Sequence, residues 1–352
     1  MANTRRFTVC SSVTSQAEPS PWLYRVWYAD AAGGFLLRPL GALFRAVGAL
    51  RRAMFRKGWL RQCAVDVPVI VVGNIAVGGA GKTPLVAWLA THLAACGRHP
   101  VIVSRGYGGE EPDTPVVVTS ATPVEVSGDE ALMLARRCDL PVVVCRDRCA
   151  AAGAAVAIGA DVIIADDGLQ HYAMLRDAEI VVVDSERLHG NGRCLPAGPL
   201  REPVSRLADA DLVVYSSNAD DTRAGYRLNV SEAINAKRKS RVPLSQWRGQ
   251  RVHAIAGIGH PERFFSTLEE AGLSLVRHAV ADHGTVDASQ LNPDDGYPVL
   301  MTEKDAVKYD QLSERHWIVP ATVQLNPIAS HAIERLLDSV LDRSTGSVEE
   351  GS

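Results

Sequence analysis

The stretch V-P-V-I-V-V-G-N-I-A-V-G-G-A-G-K-T-P-L-V-A-W-L-A, residues 67–90, decides the fold. Residues 67–72 are a short apolar run rich in β-branched side chains, the pattern of a strand buried on both faces. Gly73, Gly78, Gly79 and Gly81 follow, so the backbone can turn sharply there and approach a ligand closely. From residue 82 to 95 the spacing of Leu85, Val86, Leu89 and Leu93 predicts a helix. Strand, glycine loop and helix, with Gly-Lys-Thr at the junction, make a phosphate-binding loop. Its backbone N–H groups and the positive end of the helix dipole face the phosphates. Lys82 is expected to pair with the β- and γ-phosphates, and the Thr83 hydroxyl to sit on Mg²⁺. Gly78, Gly79, Ala80, Gly81, Lys82, Thr83 and Pro84 are the expected ATP contacts. In the usual pattern G-x-x-x-x-G-K-[ST] the first glycine position is held here by Ala76, which leaves Gly78 and Gly79 to supply the freedom.

The chain has 352 residues, 47% hydrophobic and 22% charged, with a net charge of −3. That allows two globular domains and gives no global attraction to nucleic acid. Seven cysteines (10, 63, 96, 138, 145, 149 and 194) are scattered without a C-x-x-C pair. They read as reduced thiols in a cytoplasmic compartment, not as a zinc site. Residues 1–18 read as a disordered or removable leader, too polar for a secretory core. No apolar run is long enough to span a bilayer.

Residues 19–61 are aromatic and basic, with Asp30 as the lone acid. Leu40, Leu43, Phe44, Val47, Leu50 and Met54 recur at helical spacing with arginines between them. An amphipathic basic helix suits an anionic lipid surface. Packing on the body of the protein with solvated arginines fits the same pattern.

Beyond the loop, short apolar runs alternate with helical patterns, an α/β arrangement with a mostly parallel sheet. Arg105 and Tyr107 follow the second strand, where open α/β sheets place ligands. Asp129 and Glu130 open a helix, and Arg148 opens another. The run D-V-I-I-A-D-D-G, 161–168, ends an apolar strand in Asp166 and Asp167. Adjacent carboxylates there call for a cation, and phosphate-loop enzymes hold their Mg²⁺-side aspartate at this place. Gln170 and His171 follow at once. Residues 189–203 form a long Gly- and Pro-rich loop of the functional or linker kind. A polar stretch at 217–225 reads as a domain seam. The expected organisation is a leader (1–18), a membrane-associating segment (19–61), a phosphate-loop core (62–222), a smaller C-terminal α/β domain with a closing helix (223–345), and a tail (346–352).

Taken together, these motifs resemble the tetraacyldisaccharide 4′-kinase family. The resembling segments are 73–84, S-R-G-Y-G-G (104–109), G-D-E-A (128–131), D-D-G-L-Q-H (166–171), G-N-G-R-C-L-P-A-G-P-L-R-E-P (190–203), A-G-I-G-H-P-E-R-F-F (256–265), D-H (282–283) and T-E-K-D (302–305). The family tolerates a non-glycine at the place of Ala76. The resemblance implies transfer of the ATP γ-phosphate to the 4′-hydroxyl of a tetraacylated glucosamine disaccharide 1-phosphate, with Mg²⁺. It also implies work at the cytoplasmic face of the bacterial inner membrane, with no nucleic acid and no obligate protein partner. It carries an Asp–His dyad onto Asp129 and His283. Where the family usually continues D-H-H, this chain reads D-H-G, and His171 and His260 are competing histidines. Glu130, Asp166, Asp167 and Thr83 fall to the metal, Lys82 and Arg148 to the migrating phosphoryl group, and Asn74, Arg105, Tyr107, Gln170 and His171 to the substrate. A nucleotide switch recruited to membranes is the alternative. The T-E-K-D run has its lysine one place away from the guanine-reading N-K-x-D pattern, which argues against a guanine nucleotide.

Overall fold

The computed structural model describes residues 21–29, 33–217 and 222–346. The expected leader, residues 218–221 of the expected seam and residues 347–352 of the tail lie outside the described residues. Among these residues the strands build two sheets, of nine and six strands.

The larger sheet takes β1 (Val69–Gly73), β2 (Pro100–Ser104), β3 (Val116–Val118), β4 (Val142–Val144), β5 (Val162–Asp166), β6 (Ala178–Asp184), β7 (Leu212–Ser216) and β8 (Gly225–Asn229), and much later β15 (Thr322–Leu325). Their order is β15-β8-β7-β6-β1-β5-β2-β4-β3. All neighbours are parallel except the two edge pairs, β3 with β4 and β8 with β15. The apolar runs explain this. β1, β2, β4, β5 and β6 are buried along their whole length, as strands covered on both faces must be. Ile70 and Val72 face one core layer, with α3 (Lys82–Ala95), α5 (Asp129–Cys138) and α10 (Pro327–Gly346). Val69 and Val71 face the other, with α6 (Arg148–Ala157) and Leu200.

The smaller sheet takes β9 (Glu232–Asn235), β10 (Arg241–Pro243), β11 (Arg251–Ala256), β12 (Ser274–Ala279), β13 (Val299–Thr302) and β14 (His316–Val319), in the order β10-β9-β14-β13-β11-β12. Phe264, Phe265 and Leu268 of α7 (Pro261–Glu270) cover one face. The other packs on Val286 and on Ala306 of α9 (Glu303–Ala306). Short helices α4 (Val124–Ser127) and α8 (Ala288–Leu291) complete the set.

At the N-terminal end lie α1 (Pro21–Tyr28) and α2 (Arg38–Arg56). Val26 and Trp27 are buried, and the Trp27 indole donates to the Pro196 carbonyl. Helix α2 lies close on residues 194–197: a Cβ on Gly41 would come within 2.9 Å of both Ala197 and the Cys194 carbonyl. The apolar face of α2 and the turn before it stays open, with Leu36, Leu43, Leu50 and Val47 more than half exposed. No helix among the described residues is long and apolar enough to cross a membrane.

The cysteine reading needs correction. Cys63, just before β1, is disulfide-bonded to Cys149 in the first turn of α6, with a Cα–Cα distance of 5.9 Å. The fold brings together two thiols that lie 86 residues apart, a pairing that spacing alone does not encode.

Candidate active site

The phosphate loop leaves β1 at Gly73 and enters α3 at Lys82. Left-handed backbone falls on Gly78 (φ +92°) and Gly81 (φ +84°), the conformation that glycine adopts without strain. Ala76 needs no such freedom, because it pairs with Leu200 in an antiparallel bridge. The Gly/Pro loop therefore buttresses the phosphate loop. Val77 N–H donates to the Pro199 carbonyl (2.9 Å) and Arg201 N–H to the Ile75 carbonyl (2.7 Å). On the other side the buried Tyr226 hydroxyl of β8 donates to the Gly81 carbonyl. Lys82 Nζ donates to Asn74 Oδ1 (3.2 Å) and lies 3.5 Å from Asp167. A cleft lined by Tyr28, Asn74, Gly78, Asp184, Arg187 and His189 opens beside the loop.

The two aspartates at the end of β5 have opposite surroundings. Asp167 is held by Arg201 at 3.0 and 3.2 Å. Burial raises its pKa, but Lys82 and Arg201 outweigh that and hold the carboxyl far below the usual range. Asp166 is 3% exposed and its Oδ1 has no hydrogen-bond partner. Burial, with Glu130 adding to it, pushes its carboxyl up to about 7 against the pull of Lys82. A buried carboxylate oxygen without a partner, beside a second acid, fits a cation.

Asp129 opens α5 from the larger sheet and His283 follows β12 of the smaller one. They meet with His283 Nδ1 at 2.9 Å from both carboxylate oxygens. Gly108 makes room, since a Cβ there would stand 2.9 Å from His283 Nδ1. The Tyr107 ring meets the imidazole edge-on at 5.1 Å. Burial presses the Asp129 carboxyl up, but the hydrogen bond from His283 and the charges of Lys304 and Lys308 hold it below its ordinary value. Lys304 Nζ reaches Asp282 (2.8 Å), Glu130 (3.0 Å) and His283 Nε2 (3.5 Å). Burial opposes its charge, but Glu130, Asp129 and Asp282 hold the ammonium above its ordinary value.

Other expected residues fall elsewhere. Arg148 is 5% exposed, and its Nη1 donates to the carbonyls of Asp166 (2.7 Å) and Val103 (3.3 Å). It braces the ends of β2 and β5. Arg105 is exposed and paired with Glu111. Gln170 donates to the Asn74 carbonyl and to Glu202, tying the aspartate loop to the phosphate loop. His171 sits with Asp147 and Cys149. Lys304 lies in the T-E-K-D run, expected to line the nucleotide base or the cleft, and is found instead among Asp282, Glu130 and His283. Arg201 lay in a quoted motif without an assigned role, and Tyr226 sits in a polar strand with no motif to mark it.

Comparison with known proteins matches this architecture. The family model described as tetraacyldisaccharide-1-P 4′-kinase matches residues 34–342. The chain belongs to this family. Among curated members, the tetraacyldisaccharide 4′-kinase of Halorhodospira halophila is 48% identical over 307 residues, covering 86% of this chain and 91% of that one. The enzyme of the same name from Alkalilimnicola ehrlichii is 48% identical over 324 residues, covering 91% and 96%. A crystal structure of LpxK from Aquifex aeolicus in complex with ATP superposes with a TM-score of 0.74 at 28% identity, covering 88% of this chain and 99% of the other.

Proposed function

We propose that this chain transfers the γ-phosphate of ATP to the 4′-hydroxyl of a tetraacylated glucosamine disaccharide 1-phosphate. The Asp129–His283 pair carries the reading, because it places an acid–base couple beside a phosphate loop. A sugar hydroxyl is a poor nucleophile near neutral pH and needs a group to take its proton. Asp129 is almost sealed from solvent while His283 is partly open. Nδ1 donates to Asp129, which leaves the Nε2 lone pair to accept the hydroxyl proton, and Asp129 stabilises the imidazolium that forms. Lys304, at 3.5 Å from Nε2, is itself held by Asp282 and Glu130.

Lys82 leaves Asn74 and Asp167 to meet the phosphates, and Gly78 to Pro84 wrap them. Asp166 and Thr83 would hold Mg²⁺, which supplies charge neutralisation on the phosphates when bound. Asp167 is engaged by Arg201 and Glu130 by Lys304. Arg148, Asn74 and Gln170 act as positioning residues, and Tyr107 and Arg105 border the acceptor. Residues 62–217, 222–229 and 322–346 form the nucleotide-binding unit, so that β8, β15 and the closing helix belong to it and not to the expected C-terminal domain of 223–345, and residues 230–321 form the unit that carries His283. The open apolar row of α2 suits docking on a lipid surface at the cytoplasmic face of the inner membrane, while Arg51 and Arg52 tie the helix to the Gln170 carbonyl and to Asp209. A lipid-anchored acceptor then meets the cleft without leaving the bilayer.

The test is transfer of label from γ-labelled ATP with Mg²⁺ to tetraacyldisaccharide 1-phosphate in detergent. Lys82→Ala should nearly abolish transfer, and Asp129→Ala and His283→Ala should cut it about 10²–10⁴-fold. ATP binding without label in the lipid would overturn the kinase reading in favour of a nucleotide switch.

A further inference from the structure

The cluster around Cys149 lies outside the phosphate loop and the Asp–His pair. Ligand atoms of Asp147, Cys149 and His171 all lie within 4.8 Å of one another, and Cys63 is bonded to Cys149. The four residues come from three segments: the lead into β1, the first turn of α6 and the aspartate loop. We propose that, once the Cys63–Cys149 bond is reduced, the two thiolates, a ring nitrogen of His171 and the Asp147 carboxylate bind one thiophilic divalent cation of the zinc type.

The donor chemistry fits. Two sulfurs, an imidazole and a carboxylate make a four-coordinate set of the kind Zn²⁺ takes. His171 Nε2 is buried and has no hydrogen-bond partner, an atom whose isolation costs free energy unless something binds it. Asp147 caps α6 through Oδ1 to the Cys149 N–H (2.8 Å), which leaves Oδ2 for a cation. Asp147 is exposed and Cys63, Cys149 and His171 are half-buried, so a metal ion has a way in.

The local charge makes this site depend on redox state. Arg148, Arg176 and Arg51 all act on His171 as positive neighbours. With the disulfide closed, the sulfurs are neutral and this field repels a dication. Two thiolates reverse that. Reduction is a thiol–disulfide exchange. A dithiol reductant supplies two electrons and two protons, the S–S bond breaks, two thiols form, and the reductant closes into its own disulfide. The cation then displaces both thiol protons to solvent as two metal–sulfur bonds form. The loop that follows Asp166 and Asp167 is already tied to Cys63 through backbone hydrogen bonds at Ala173 and Leu175; reduced and loaded, the site adds a side-chain bond to it through His171.

Cobalt(II) is the probe, because tetrahedral thiolate sites give it an intense sulfur-to-metal charge-transfer band. The full chain in detergent is titrated in two forms: as the disulfide, and after dithiol reduction followed by anaerobic removal of the reductant. The reduced chain should bind one cobalt per chain with the charge-transfer band, and zinc should displace it. The disulfide form should show no band. Cys63→Ser/Cys149→Ser should lose the band, and His171→Ala should weaken binding at least about tenfold. No band in the reduced wild-type chain overturns the proposal, and that comparison needs no variant to fold. A band that survives in the double serine variant, or affinity unchanged in His171→Ala, overturns it equally.

Discussion

Replacing Asp166 by asparagine should stabilise the metal-free chain above pH 7, although the residue sits in the candidate active site. The cause is a carboxyl buried without a partner for Oδ1. Moving it from its ordinary 3.8 to about 7 corresponds to on the order of 4 kcal/mol, at about 1.4 kcal/mol per factor of ten. Below about pH 4 the group is protonated in the folded and unfolded chains alike, and nothing is lost. Between about pH 4 and about 7 the unfolded chain gives up its proton while the folded chain retains it. Stability therefore falls as pH rises through that window and levels off above it. Asparagine has no proton to lose, so the variant escapes the fall. Thermal unfolding by circular dichroism, with a chelator present, should show the variant several degrees more stable than wild type at about pH 8, at roughly 2 °C per kcal/mol. At about pH 4 the gain should vanish. Added Mg²⁺ should stabilise wild type at the higher pH and leave the variant unmoved. An Asp166→Asn effect independent of pH, or a loss of stability at pH 8, would refute the account of this carboxyl as a strained cation ligand.

Three further outcomes follow from the geometry. Gly108→Ala should lower kcat about 100-fold, because its Cβ would stand 2.9 Å from His283 Nδ1, and cost about 1–2 kcal/mol of stability at a φ of +84°; unchanged transfer kinetics would deny the Asp129–His283 contact its role. Tyr226→Phe should raise the KM for ATP severalfold and cost about 1 kcal/mol of stability, since its hydroxyl holds the Gly81 carbonyl; an ATP titration that matches wild type would show that the loop needs no such tie. Leu43→Glu with Leu50→Glu should lower vesicle binding by at least about tenfold while leaving the melting temperature close to wild type, as both side chains are about 60% exposed; flotation equal to wild type would remove α2 from the lipid contact.

The phosphate loop was legible because its signals are local. Glycine positions and the Leu85–Leu89–Leu93 spacing placed the helix at 82–95, where α3 lies. Fully buried strands such as β5 and β6 announce themselves by apolar runs. The strands β8, β9, β14 and β15 did not, because G-Y-R-L-N, E-A-I-N, H-W-I-V and T-V-Q-L are short, and all four carry polar residues. Neighbouring strands, not propensity, make them β. The site divides in the same way. The sequence marks charged residues at strand ends but not their partners. Arg148 turns its guanidinium to carbonyl oxygens, Asp167 meets Arg201, and Lys304 gathers Glu130, Asp282 and His283. Those choices are set by which segments the fold brings together, as is the joining of Cys63 to Cys149.

The order in which β8 and β15 occur has a consequence for synthesis. Strand β8 forms near residue 225, but its outer neighbour β15 comes almost a hundred residues later, after the whole smaller sheet. On a translating ribosome the larger sheet therefore carries an unpaired outer edge, open to mispairing with other chains, while residues 230–321 are made. Helix α10, which contributes Ile333, Leu337 and Val340 to the core beneath that edge, emerges last of all. The β8 edge should thus be where a nascent chain most needs a chaperone, and a chain truncated before β15 should aggregate through it.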